Sequence, residues 1–227
     1  MSSNLWRSIV LEVIIRFTSM TFFTTDLQPA NILFSDDCDL SSDILMEPEL
    51  SPVNWLPKIQ IDNSAPQYLV VSQRPRGMLD NAVFSALTVK IGDLGGAMWS
   101  GQYDSLPVTP TALRAPELLE KCPWNEKIDI WTLGCLIFQL ATNEPLFPLE
   151  SFGCTADEIH QLLISRLHTF IEGGSDSFAV YLEERLPSDF GTESVEQLVH
   201  FLWSMLQENP QDRPSAAALL EHPFLVG

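Results

Sequence analysis

Residues 128–140 constrain the fold more than any other part of the chain, because they are apolar on nearly every side of a helix. A segment of this length without a polar face is buried at the centre of a domain. The 227 residues, 45% of them hydrophobic and 10% aromatic, suffice for one large domain with a packed core. The sequence therefore predicts a mainly α-helical domain built around this helix.

Further helices are predicted on both sides of the central one. Apolar residues at steps of three and four predict a buried helix stripe over residues 3–18. Residues 157–167 have the pattern of an amphipathic helix with Thr155 as its N-cap. Another is predicted over residues 194–206, where Ser194 and Gln197 have the spacing of a capping box. A short helix over residues 215–220 completes the series.

Short strands are predicted in the first half of the chain. The residues from Phe22 towards Asp26 are strand-like, and residues 32–34, 70–71 and 87–91 have the composition of short strands. Residues 35–66 are rich in Asp, Ser and Pro and show no sustained period. We therefore expect a long, partly disordered surface insertion at about residues 35–88.

Composition limits the classes of partner. The net charge of −18 disfavours direct contact with nucleic acid or an anionic membrane, which are also negatively charged. A basic peptide would be attracted, although the acidity can equally serve solubility alone. The longest apolar stretch, residues 130–140, is too short to cross a bilayer. The four cysteines show no metal-site or disulfide spacing, so a reducing compartment is expected.

Three short motifs follow one another in the chain. Residues 26–31 read Asp-Leu-Gln-Pro-Ala-Asn, residues 93–95 read Asp-Leu-Gly, and residues 115–117 read Ala-Pro-Glu. A loop aspartate can accept a proton from a hydroxyl nucleophile, while an asparagine five positions later and a second aspartate can hold magnesium on ATP. The alternative for each residue is ordinary cap or turn chemistry. The ordered set favours the functional interpretation.

With Arg-Ala-Pro-Glu at 114–117, Ile-Asp-Ile-Trp at 128–131, Asp-Arg-Pro-Ser at 212–215 and His-Pro-Phe at 222–224, the chain resembles the C-terminal lobe of a eukaryotic protein kinase. The resemblance covers residues 1–227 and implies short β-strands around the catalytic and magnesium loops of a mainly α lobe. Leu94, Arg114 and the long insertion are similar to the SR-protein kinase branch of the CMGC group, above all its divergent fungal members.

The resemblance implies roles for individual residues. Asp26 corresponds to the catalytic base, and Gln28 lies where the family has a lysine near the transferred phosphoryl group. Asn31 and Asp93 correspond to the magnesium ligands of the ATP site, and Gly95 belongs to the same cofactor loop. The substitution of Gln28 for lysine removes one cation from the expected transition-state environment.

Four further residues are implied to be structural. Glu117 and Arg213 correspond to a buried ion pair, and Arg114 lies in the same segment as Glu117. Asp129 corresponds to an aspartate that accepts backbone hydrogen bonds from the catalytic loop; the alternative is a carboxylate favoured by the helix N-terminus. Pro110 stands where relatives have a threonine that ties the activation segment to the catalytic loop; whether the flanking Thr109 or Thr111 makes that contact instead stays open.

Two functions from different classes are expected from this resemblance. In the first, the chain belongs to an ATP- and Mg²⁺-dependent serine/threonine kinase of the cytoplasm or nucleus, with Arg/Ser-rich proteins as substrates. In the second, it is a non-catalytic, pseudokinase-like interaction module. Only 25 residues precede Asp26 and no G-x-G-x-x-G is present, so we expect the large lobe only, with weak or no activity as an isolated chain.

Overall fold

A computed structural model describes residues 10–15, 22–36, 47–58, 66–71, 87–99, 101, 107–149, 153–187 and 190–226. The chain divides into two compact units. The larger comprises Met1–Ser35 and Thr88–Gly227, and the smaller comprises Asp36–Leu87. The smaller unit covers nearly the same residues as the insertion predicted at 35–88, whose partly disordered character stays a prediction.

The described residues contain six strands and seven α-helices, besides short 3-10 helices. The strands are β1 Phe22–Phe23, β2 Ile32–Asp36, β3 Leu50–Pro52, β4 Tyr68–Val70, β5 Leu87–Ile91 and β6 Met98–Trp99. The helices are α1 over residues 10–15, α2 Pro116–Leu119, α3 Lys127–Thr142, α4 Ala156–Glu183, α5 Thr192–Met205, α6 Ala216–Leu220 and α7 Pro223–Val226. The mainly α-helical prediction is confirmed.

The central helix α3 contains the predicted segment 128–140 and extends it by one residue at the start and two at the end. Every residue from Ile128 to Phe138 is buried, and the helix packs against α5. It ends at Asn143, whose left-handed backbone (φ 60°, ψ 20°) stops the helix. On α1, Val10, Val13 and Ile14 are buried, as the three-and-four spacing predicts; the rest of the predicted helix 3–18 lies outside the described residues.

Helix α4 begins where predicted and is much longer than predicted. Thr155 caps it together with Glu158, because the Thr155 hydroxyl accepts from Glu158 N while the Glu158 carboxylate accepts from Thr155 N. The helix bends at Gly174, whose φ of 68° and ψ of −176° are not helical, and then continues to Glu183. A glycine at this position permits the positive φ that other residues rarely adopt.

The predicted start of α5 is wrong. The helix begins at Thr192 with Gly191 as its N-cap, so Ser194 lies inside the first turn and is not the capping residue. The spacing of Ser194 and Gln197 resembles a capping box, but Gly191 already turns the chain into the helix with a φ of 81°. At the C-terminus, the Ser215 side chain accepts from Ala218 N and caps α6.

The four strands of the larger unit lie in two pairs. β1 pairs antiparallel with β6, with Phe22 opposite Trp99 and Phe23 opposite Met98, and β2 pairs with β5. Each pair contributes one strand next to the segment 24–31, with β1 before it and β2 after it, and its other strand lies next to residues 92–97, with β5 before them and β6 after them. The short strands therefore hold two loops side by side.

The smaller unit contains an antiparallel ladder that the sequence only partly predicted. β3 pairs with β4, with Leu50 opposite Val70 and Pro52 opposite Tyr68. The side chains of both strands are exposed. Only β4 was predicted, as residues 70–71, two residues late at its start and one at its end; β3 was missed because Pro52 and the Pro, Glu and Ser residues around it do not have the composition of a strand. Within the described residues, no helix combines the length and the apolar character needed to traverse a lipid bilayer.

Candidate active site

The segment between β1 and β2 carries the first group of predicted site residues. Leu27 is fully buried and anchors this segment in the core. Pro29–Asn31 form a single 3-10 turn, closed by a hydrogen bond from Asn31 N to Gln28 O of 2.9 Å. A proline in the first position suits such a turn because its φ is already close to the helical value. Asp26 and Asn31 are thereby brought to the same side of the loop.

The side chain of Asp26 is held by two amides. Gln28 Nε2 donates to Asp26 Oδ1 at 2.8 Å, and Asn31 Nδ2 donates to Asp26 Oδ2 at 3.1 Å and to the Asp26 carbonyl at 2.9 Å. Asn31 is buried and Asp26 is half-buried. Because Nδ2 of Asn31 is directed to Asp26, the oxygen Oδ1 is the atom that remains to coordinate a cation.

Asp93 follows β5 on the neighbouring loop. Its backbone is left-handed (φ 53°, ψ 63°), a conformation that aspartate tolerates better than most residues. Gly92 N donates to Asn31 O at 2.8 Å, so the backbone next to Asp93 is bonded to the backbone of Asn31. A Cβ on Gly95 would lie 3.6 Å from Asp93 Oδ1, which places Gly95 beside the carboxylate. The structure thus brings together the two loops that carry Asp26, Asn31 and Asp93.

Asp129, in the first turn of α3, binds the start of the Asp26 segment. Its Oδ2 accepts from Thr24 N at 2.6 Å and from Thr24 Oγ1 at 3.2 Å, and its Oδ1 accepts from Thr25 N at 3.2 Å. All three residues are buried. Burial raises the pKa of Asp129 to about 6, although the hydrogen bonds from Thr24 and Thr25 lower it. One carboxylate therefore orients the backbone that leads to Asp26.

This raised pKa predicts a pH-dependent stability. The unfolded chain releases the proton near pH 3.8 and the folded chain near pH 6, so between these values the folded state binds more protons. The contribution of Asp129 to the free energy of unfolding is therefore expected to fall as pH rises from about 4 to about 6. Urea unfolding of wild type and Asp129→Asn across this range measures it.

In that experiment the stability advantage of wild type over the variant is expected to shrink as pH rises, because asparagine does not titrate. The other ionisable groups are common to both proteins, so their contributions cancel in the difference. A difference that stays constant from pH 4 to pH 6 contradicts the prediction.

Thr109 ties a third segment to the same loop. Its Oγ1 donates to Thr25 O at 2.5 Å, and Arg114 Nε donates to Thr109 O at 2.9 Å. Thr25 Oγ1 in turn donates to Gly96 O at 2.7 Å. The sequence indicated Pro110 as the aligned position and left open whether a flanking threonine takes its place. Thr109 makes this contact, and its place next to Pro110 was the only sequence indication.

Gly96 is required by the close approach of these segments. A Cβ at this position would lie 2.6 Å from Val108 Cγ2 and 3.2 Å from Thr25 Oγ1. The first distance is too short for non-bonded carbon atoms, so a side chain at this position would force Val108 or its segment to move. Gly96 was not singled out from the sequence, because a glycine in a short loop has many ordinary explanations.

Glu117 and Arg213 form a buried bidentate ion pair. Arg213 Nη1 donates to Glu117 Oε1 at 2.7 Å, and Nη2 donates to Glu117 Oε2 at 2.8 Å. The remaining donors of the guanidinium bond to three carbonyls, those of Lys127, Gln207 and Glu208. All five N–H groups thus have an acceptor. Arg213 also lies 5.2 Å from the centroid of the Trp131 ring, a cation–π distance.

Residues 78–225, more than half of the chain, match the protein kinase domain family. The chain belongs to the protein kinase family. The matched residues include the Asp93 loop and the Glu117 and Arg213 pair, whereas the Asp26–Asn31 segment precedes them. Protein kinases in general use ATP and Mg²⁺ to phosphorylate protein substrates.

The relatives identify the branch of the family that this kinase chain resembles. It is 28% identical to the serine/threonine-protein kinase SRPK of Physarum polycephalum, over 92% of this chain and 57% of that protein. It is 29% identical to the serine/threonine-protein kinase SKY1 of Saccharomyces cerevisiae, over 64% of this chain and 23% of that protein. Protein kinase dsk1 of Schizosaccharomyces pombe is 27% identical over 61% of this chain and 30% of that protein.

These identities confirm the resemblance to divergent SR-protein kinases that the sequence motifs indicated. The kinase chain spans just over half the length of the first relative and less than a third of the other two. The alignment with the Physarum kinase covers 92% of the chain and so extends beyond the matched domain. The roles of Asp26, Gln28, Asn31, Asp93 and Gly95 stay predictions.

Proposed function

We propose that this chain provides the catalytic large lobe of a serine/threonine protein kinase that transfers a phosphoryl group from ATP to a protein hydroxyl. The observation that carries the proposal is the contact between the two loops. Asn31 bonds to Asp26 through its side chain and to Gly92, next to Asp93, through its backbone. Asn31, itself a proposed metal ligand, therefore positions the proposed proton acceptor Asp26 and the loop that carries the second proposed ligand, Asp93.

In this proposal Asp26 accepts the proton of the substrate hydroxyl. Its carboxylate is half-buried and fixed by Gln28 and Asn31. Such positioning matters because a general base acts only within hydrogen-bond reach of the proton that it removes. Asp129 and Thr109 support the same segment from the other side through Thr24 and Thr25.

The donor set fits a magnesium ion. Mg²⁺ prefers oxygen ligands and is typically held by one or two protein carboxylates or amides together with phosphate and water. The orientation of the Asn31 amide leaves Oδ1 for this purpose, and the carboxylate of Asp93 is exposed. A bound Mg²⁺ would neutralise charge on the phosphates of ATP. Gly95 allows close approach to this carboxylate because it has no side chain.

Gln28 distinguishes this site from one with a lysine at the same position. Its amide donates to Asp26 Oδ1 but carries no charge. We infer that it orients the base without stabilising the negative charge of the transferred group, so turnover is slower than with a cation there. The proposed substrates are Ser/Thr-containing proteins with basic, Arg/Ser-rich segments, supported by the net charge of −18 and by the relatives named SRPK and SKY1.

The same proposal assigns the protein to the cytoplasm, the nucleus or both, where ATP and protein substrates are available together. The acidic composition supports a basic protein partner in either compartment.

The proposal is tested by nucleotide-dependent thermal stability. The chain is heated with and without ATP and Mg²⁺, first alone and then with the small lobe of the Physarum kinase supplied as a separate polypeptide. Saturating MgATP is expected to stabilise the protein by RT ln(1 + [L]/Kd), about 2.7 kcal/mol at a hundredfold excess over Kd. The variant Asp93→Asn is expected to remove the magnesium-dependent part, because asparagine keeps the left-handed backbone but loses the charge.

Asp176→Asn is the matched control, since Asp176 is an exposed aspartate on α4. This variant is expected to respond to MgATP like wild type. A response that persists in Asp93→Asn contradicts the role of Asp93. If no response occurs even with the small lobe present, the catalytic proposal fails and the chain acts as a non-catalytic interaction module.

A further inference from the structure

A cavity of about 390 Å³ lies in the larger unit, away from the loops of the candidate active site. It is bounded by the segment after α3 and by α4, and its walls are mostly apolar. The aromatic residues of the wall are Phe147, Phe170, Phe178 and Tyr181. Its volume falls within the range of roughly 300–1,000 Å³ that is typical of small-molecule sites.

The bend of α4 shapes this cavity. Arg166 and Phe170 line it from the part of the helix before Gly174, and Phe178 and Tyr181 line it from the part after. Phe147 packs edge-to-face on Phe170, with ring centroids 5.5 Å apart. Phe170 and Phe178 are eight positions apart, about 12 Å along a straight helix, yet their ring centroids lie 5.6 Å apart, so the bend at Gly174 brings the two parts of the wall together.

One polar group in the wall lacks a partner. Atom Nη1 of Arg166 is buried and has no hydrogen-bond acceptor among the residues that the structure describes. A guanidinium stays charged at any physiological pH, and a buried donor without an acceptor is costly. Arg185 lies outside the wall. Its Nε likewise makes no hydrogen bond, but the Glu144 carboxylate is 3.3 Å away and Nη1 donates to Tyr181 O, so this guanidinium has a counter-charge and an acceptor. Arg166 is therefore the cation of this region that a ligand can satisfy.

We propose that this cavity binds a small organic monoanion, with its apolar body against the aromatic wall and its carboxylate on Arg166. The carboxylate is the group whose two oxygens match a guanidinium. The wall contains one cation, and the chain as a whole carries a net charge of −18. Both facts disfavour ligands with several negative charges, such as nucleotides. The proposal is independent of the kinase activity.

The aromatic residues of the wall also allow ligand binding to be detected by tryptophan fluorescence. Phe147 stacks on Trp131 with ring centroids 6.1 Å apart and an interplanar angle of 2°. Phe170 and Phe178 lie 5.3 Å and 5.7 Å from Trp203, measured between ring centroids. A ligand that moves these phenylalanines changes the surroundings of two tryptophans. Tryptophan fluorescence therefore reports occupancy without any enzymatic assay.

The test is a titration of the whole chain with 4-phenylbutanoate, followed by tryptophan fluorescence and calorimetry. The neutral analogue 4-phenylbutanamide has the same apolar body and is measured in parallel. The carboxylate is expected to bind wild type at least about tenfold more tightly than the amide does, because only the carboxylate forms a charge-assisted pair. Arg166→Gln is expected to remove that difference, and Arg166→Lys to keep part of it.

Arg185→Gln is the matched control, since it removes a nearby guanidinium that already has acceptors. It is expected to bind 4-phenylbutanoate as wild type does. The proposal is overturned if the carboxylate does not bind, if the amide binds equally well, or if Arg166→Gln retains full affinity. The comparison of the two ligands on wild type decides the question even if a variant fails to fold.

Discussion

Asp26→Asn is expected to lower the rate of phosphoryl transfer about a thousandfold, within the 10²–10⁴ range typical of a lost general base. Asparagine has nearly the same size as aspartate but cannot accept the proton of the substrate hydroxyl. The measurement is transfer of labelled phosphate from ATP to an Arg/Ser-rich peptide, with the small lobe supplied as above. Nucleotide binding is expected to stay unchanged, because Asp93 and Asn31 are still present.

The contacts of Asp26 determine what this substitution changes besides the loss of the base. Gln28 and Asn31 both donate to the carboxylate, so an asparagine amide must face one of these donors and loses that hydrogen bond. The expected cost is about 1 kcal/mol of stability, whereas the bond from Asn31 Nδ2 to the Asp26 carbonyl is kept. Asp176→Asn again serves as the control. An Asp26→Asn protein with more than about a tenth of wild-type activity rules out Asp26 as the base.

Arg213→Met is expected to lower the free energy of unfolding by about 3–5 kcal/mol. The substitution leaves the carboxylate of Glu117 buried without its counter-charge and removes the partner of three backbone carbonyls. Arg213→Lys is expected to be almost as damaging, because an ammonium has three donors and cannot replace five in a fixed planar arrangement. Urea unfolding gives the free energies, and an unchanged m-value shows that the same structure unfolds.

Arg185→Met provides the comparison for that prediction. Arg185 pairs with the carboxylates of Glu144 and Glu184, whose side chains are 61% and 69% exposed, and such pairs contribute little because water screens them. A loss of at most about 1 kcal/mol is expected. The double variant Glu117→Gln/Arg213→Met is expected to lose less free energy of unfolding than the two single variants together, because no charge is left buried without a partner. If Arg213→Met costs no more than Arg185→Met, the ion pair does not hold the fold together.

The elements that were predicted well depend on local pattern. The central helix was predicted within two residues at either end because an apolar run of this length is stable only as a buried helix. The Thr155 cap was predicted because its chemistry involves residues only three positions apart. The start of α5 was misassigned for a related reason. Several polar residues near it have cap-like spacing, and the backbone at Gly191 decides between them.

In the candidate site, too, some features follow from local sequence and others depend on packing. Residue types and their order indicated Asp26, Asn31 and Asp93, since the chemistry of phosphoryl transfer requires those groups. The contact of Thr109 with Thr25 joins positions 84 residues apart, and no local pattern predicts it. The Gly96 contact with Val108 and the unpartnered Nη1 of Arg166 are likewise properties of packing.

The sequence by itself determined the helical class, the kinase resemblance and the identity of the reacting groups, because these follow from periodicity and from side-chain chemistry. Only the tertiary structure decided which segments meet: the bond from Gly92 to Asn31, the five acceptors around Arg213, and the bend at Gly174 that opens a cavity. The physical reason is that such contacts depend on how distant segments pack together, and their free energies arise only when the chain is folded.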